Sequence, residues 1–79
     1  MTKSITLESS LGAVRRLELV ENDQHHRHEI WAVYPKDNIE PLMLTQVGTV
    51  PPLVVLCQEA RQLVNTGWRV IETAADDDD

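Results

Sequence analysis

The chain has 79 residues and a formal net charge of −6, which fits one small domain and opposes the phosphate neutralisation that non-specific nucleic-acid binding needs. A domain of this size buries only about 60% of its unfolded surface, and the single cysteine, Cys57, excludes an internal disulfide as reinforcement. Self-association or a bound metal are the expected supplements.

No apolar run approaches the roughly 20 residues of a membrane-spanning helix. Residues 1–10 also lack the apolar core of a signal peptide, so a cytoplasmic location without membrane attachment is expected.

Taken in chain order, Ile5 and Leu7 form a first run of period two, and Leu17 and Leu19 a second, both read as strands. A helix over Ser9 to Glu21, capped by a serine, competes with the second strand, but Gly12 and the alternation of Arg16, Leu17, Glu18 and Leu19 favour strand. The polar stretch from Glu21 to Arg27 holds Asn22 and Asp23, which tolerate turn conformations, and predicts a hairpin. His28 to Tyr34 carries Ile30, Ala32 and Tyr34 on one face and Trp31 and Val33 on the other, as expected of a strand packed on both sides.

Pro35 and Pro41 bracket a loop, and Leu42 to Val47 make another strand. A helix from about Val50 to Asn65 then has Thr49 as its cap, Pro51 and Pro52 in its first turn, and Asn65 and Gly67 at its end. Leu53, Leu56, Cys57, Ala60, Leu63 and Val64 recur at three- and four-residue steps and predict its core-facing stripe. Cys57 on that stripe is expected to be buried and inert. Trp68 to Glu72 reads as a final strand.

The expected fold is therefore α+β, an antiparallel sheet of four to five strands in the order β-β-β-β-α-β with one helix across one face. Residues 1–73 make the domain, and residues 74–79 are expected to be a disordered acidic tail. One helix covers one face, so some of Val14, Val20, Trp31 and Val33, together with Val54 and Val55 at the start of the helix, should be left for solvent or another chain. A homodimer through such a surface is expected.

His25, His26 and His28 are the one cluster with metal-ligand chemistry. Placed on a strand, His26 and His28 would point the same way, with Asp23 or Glu29 as a nearby oxygen ligand. A solvated hairpin tip is the weightier reading, because a dedicated zinc site draws four ligands from separated segments. Gly12, Gly48 and Gly67 are isolated and match no phosphate-binding loop, and no serine sits in a glycine-rich elbow, so neither a cofactor nor catalysis is expected. Arg15, Arg16 and Arg27 could form a basic spot beside Trp31 or Tyr34, but cross-strand pairing with Glu18, Glu21 or Glu29 accounts for them better.

Four of the thirteen acidic residues are Asp76, Asp77, Asp78 and Asp79, leaving nine against seven Lys and Arg, about −2, on the rest of the chain. Such a tail can steer encounter with a basic protein surface. The resulting expectation is a small protein-binding module, an inhibitor or adaptor that occludes a basic or apolar surface of a partner, with Trp31, Val33, Val54, Val55 and Asp76 to Asp79 as binding residues. This size and charge are shared with small phage and mobile-element products that block host factors. The competing readings are a metal-binding protein built on the histidine cluster and an accessory subunit of an enzyme complex.

Overall fold

A computed structural model describes residues 3–75. Five strands and one helix follow one another as β1 (Lys3–Glu8), β2 (Val14–Asn22), β3 (Arg27–Tyr34), β4 (Ile39–Gln46), α1 (Pro52–Asn65) and β5 (Arg69–Ala75). The strands form one antiparallel sheet in the order β4-β3-β2-β1-β5. The chain is thus a small α+β fold. Among the described residues no helix is long and apolar enough to cross a membrane.

Local chemistry explains the turns. Ser9 to Ala13 joins β1 to β2, with Gly12 at φ +88°, where a side chain would be strained, and with the Ser9 hydroxyl accepting from the N–H groups of Leu11 and Ala13. Residues 9–13 therefore turn rather than begin a helix. The β2–β3 hairpin closes over Asp23 to His26. There the Asn22 side-chain oxygen accepts from the His25 N–H, and His26 takes a left-handed conformation at φ 51°.

β4 begins at Ile39, earlier than the pattern predicts, and contains Pro41. Proline cannot donate to a ladder, yet β4 is an edge strand and its register against β3 breaks between Ala32 and Tyr34, so Pro41 lies in the irregular stretch. At the other edge, β5 continues through Ala74 and Ala75, which pair with Ser4 and Lys3. Those two residues belong to the sheet and not to a disordered tail.

The helix begins later than expected. Val50 and Pro51 each precede a proline, which excludes the helical region at both, so Pro51 takes the cap position with φ −54° and ψ 136° and no side-chain cap bond forms. Thr49 does not cap. The far end is a Schellman motif: the Trp68 N–H donates to the Leu63 carbonyl at 3.0 Å and the Gly67 N–H to that of Val64 at 3.2 Å, with Gly67 at φ +104°.

Leu7, Leu17, Ile30, Ala32, Val47, Leu56 and Ala60 make the core, with Ile5, Leu19, Tyr34, Val55, Leu63 and Trp68 packed around it. The stripe of α1 is rotated from the predicted one. Leu56, Ala60 and Leu63 face the sheet as expected, Val55 joins them, and Leu53, Cys57 and Val64 lie on the exposed flanks. Five strands span about 19 Å, whereas a helix with its side chains is about 10 Å across. α1 lies chiefly over β2, touching β1, β3 and β5 but not β4, so apolar residues at its sides stay exposed.

Candidate functional site

Register assigns the residues of the sheet face opposite α1. Ile30 and Ala32 are core, so their neighbours Glu29, Trp31 and Val33 point the other way. Through pairing they share that open face with Val20, Glu18 and Arg16 of β2, Thr6 of β1 and Met43 of β4.

Glu29 organises one end of it. Although no layer formed by the described residues covers this face, Glu29 is only 2% exposed. Its Oε1 accepts from the Trp31 indole Nε1 at 3.0 Å, and its Oε2 accepts from Arg27 Nε at 2.8 Å and Asn22 Nδ2 at 3.2 Å. The Trp31 and Arg27 hydrogen bonds, with that of Asn22 behind them, outweigh desolvation and hold the Glu29 carboxyl below the usual glutamate range. It remains an anion, and its donors fix the Trp31 side chain against the sheet.

Around this group lies an open cleft of about 500 Å³, lined by Val20, Trp31, Val33 and Pro41 and by the acidic residues Glu18, Glu21, Asp23 and Glu29. Arg16 neutralises Glu18 at 2.7 Å and Arg27 neutralises Glu29. At the opposite corner of the face Arg69 bonds Glu8 at 2.7 Å and holds its carboxyl low as well.

The expected residues divide between surfaces. Trp31 and Val33 come together on the open face with Val20, but Val14 is buried rather than presented. Val54 is 44% exposed on α1, on the other side of the sheet, and Val55 turns inward to the core instead of facing solvent. Asp76, Asp77, Asp78 and Asp79 lie outside the described residues. Cys57 is exposed, contrary to the expectation of a buried thiol, beside Leu53, Val54, Gln58 and Arg61.

The histidines do not share a strand. His26 sits in the hairpin turn, and His28 is paired with Glu21, Nε2 to Oε2 at 3.4 Å. The strand argument for a shared metal therefore fails, and among the described residues no three His, Cys, Asp or Glu side chains converge as ligands. Arg15 separates from Arg16: it points to the helix side, 5.4 Å from the Tyr34 ring and 5.0 Å from that of Trp68. Arg16 and Arg27 do meet glutamates, along their own strands rather than across them.

Sequence reasoning missed Glu29 as the organiser of this face. The signal was present in the spacing of Arg27, Glu29 and Trp31, since alternate strand residues share a side. Compared with known proteins, the chain matches no protein family, no curated protein and no solved structure.

Proposed function

We propose that this chain is a cytoplasmic, non-enzymatic protein-binding module whose open sheet face docks on a partner, acting as an inhibitor or adaptor by occlusion. The observation that carries the reading is the hydrogen-bonded fixation of Trp31 by Glu29 on an uncovered face. An aromatic anchor already held in place loses little conformational freedom on binding, and such residues dominate binding hot spots. Val20, Val33 and Pro41 supply apolar area around it. The exposed free thiol of Cys57 suits a reducing compartment.

The test is capture from nuclease-treated host lysate by the wild type, by Trp31→Ala with Val33→Asp, and by the helix variant Val54→Asp. Retention of one partner by the wild type and the helix variant, and its loss from the open-face variant, is expected. Equal retention by all three overturns the reading.

A separate surface supports a homodimer. Leu53 and Val54 of α1 and Val70 and Ile71 of β5 are 44–48% exposed on neighbouring elements, and a groove between those elements is lined by Ile5, Leu53, Leu56, Thr73 and Ala75. Burying such a surface supplies what a small core lacks and leaves the open face free. Sedimentation equilibrium is expected to show a dimer at high micromolar concentration, and a monomer there overturns this part.

A further inference from the structure

We infer that the β5 edge pairs antiparallel with the β5 edge of a second copy, centred on Thr73, so that the two sheets run on as one; this rests on the homodimer reading and gives it a geometry. β5 ends the sheet, pairs with β1 alone among the described residues, and has all seven of its residues exposed. A bare strand edge presents unpaired N–H and C=O groups and is a template for another strand. The opposite edge is defended, since β4 carries Pro41 and two breaks in register. β5 carries neither proline nor lysine, and its one irregularity, at Ile71, leaves residues 72–75 in regular pairing. Growth through β4 and β5 in turn is therefore blocked, and β5 against β5 about a twofold axis closes a dimer.

Charge selects the register, because like charges directly opposite one another destabilise a strand pair. Centred on Glu72, the pairing opposes two glutamates. Centred on Ala74 or Ala75, it opposes Glu72 to Asp76 or Asp78, which follow in the sequence. Centred on Thr73, it opposes Thr73 to Thr73 and Glu72 to Ala74, and sets Ala75 against the bulge at Val70 and Ile71. Asp76 then falls opposite Arg69 of the second copy, whose side chain is 75% exposed. This register opposes no carboxylate to another and, by symmetry, makes the Asp76–Arg69 pair twice. It also covers Val70 and Ile71, and brings together at the axis the two α1–β5 grooves, about 320 Å³ each, that Leu53 and Thr73 line. Both open faces lie on one side of the joined sheet and both helices on the other.

The experiment places single cysteines in the full Cys57→Ser chain and follows disulfide formation under mild oxidation. Directly opposed residues have Cα atoms about 4.5–5.5 Å apart, within reach of a disulfide, whereas residues two places off the axis are about 8 Å from their own copies and out of reach. Thr73→Cys should therefore cross-link about tenfold faster than Glu72→Cys or Ala74→Cys. In otherwise unaltered chains, Asp76→Asn should weaken the dimer about three- to tenfold at low salt. Asp79→Asn removes the same charge away from the seam and should not weaken it. With wild-type chains mixed from isotope-labelled and unlabelled protein, nuclear Overhauser contacts between copies are expected across Thr73, which tests the pairing without any cysteine.

Fastest cross-linking at Glu72→Cys or Ala74→Cys, equal effects of the two asparagine variants, or the absence of contacts between the β5 strands of the wild type each overturn the inference. A protein that sediments as a dimer but cross-links only through Val54→Cys leaves the homodimer reading standing and removes the edge pairing alone. A monomer at high micromolar concentration overturns both.

Discussion

The Arg15 guanidinium lies 5.0 Å from the centre of the Trp68 ring, tying β2 to the residue that ends the helix cap. Tyr34 lies 5.4 Å from the same group. Among the described residues the buried Arg15 Nε has no hydrogen-bond partner, so the two ring faces are the compensation they offer it for lost water. Arg15→Ala removes these contacts and the packing of the stem and should cost about 1–2 kcal/mol. Urea unfolding at neutral pH measures this, and an unchanged midpoint would show the contacts to be energetically neutral.

Acid should weaken the fold through Glu29 and Glu8. Both carboxyls are held below their usual range, by the Trp31 and Arg27 hydrogen bonds and by the Arg69 hydrogen bond respectively. A depressed folded-state value contributes stability above the unfolded value, about 4.3 for glutamate, and that stability is lost as pH falls through the lower folded value. Denaturation midpoints should therefore hold steady from neutrality to about pH 5 and fall below about pH 4.3. Glu29→Gln should lower stability at pH 7 and flatten the acid limb. A midpoint as steeply pH-dependent as that of the wild type would remove Glu29 from the account.

The cap at Gly67 gives a backbone prediction free of packing effects. A Cβ built there meets nothing within 4 Å, while φ stands at +104°. Gly67→Ala should thus destabilise by conformational strain alone, by about 1 kcal/mol, which for a domain of this size lowers the thermal midpoint by about 4–8 °C. Calorimetry checks it.

At low micromolar concentration, below that at which the proposed dimer forms, Cys57 should react completely with a thiol reagent in the native state, within minutes and without denaturant, because it lies on an exposed flank of α1 beside Leu53 and Val54. Cys57→Ser should change stability by less than about 0.5 kcal/mol. Labelling that waits for global unfolding would place the thiol in a covered interface.

Leu17 tests the core. It is fully buried on β2, under the helix, and Leu17→Ala should cost about 2–5 kcal/mol, a large share of the margin of a small domain. Cooperative unfolding with an unshifted midpoint would contradict the packing described.

Periodicity along the chain pointed to the strands and to a helix between the last two of them, while at Ser9 to Glu21, where a helix competed, Gly12 and the alternation only favoured the strand that forms. Alternation at Leu17 and Leu19 and the three- and four-residue steps of Leu56, Ala60 and Leu63 are local properties, set by where side chains point along one element. The turn at Asp23 to His26 and the stop at Gly67 were legible for the same reason, since each depends on the conformations that a few neighbouring residues tolerate. The strand order, the rotation of α1 that turns Val55 toward the core and exposes Cys57, and the division of Arg15 from Arg16 were not. They depend on which elements meet, and a helix narrower than its sheet chooses its stripe by the surface beneath it. The role of Glu29 belongs with these. Its neighbours Arg27 and Trp31 can be read off the alternation, but the third donor, Asn22, reaches it only because β2 and β3 pair in this register, and a carboxylate becomes an organiser only when all its donors arrive together.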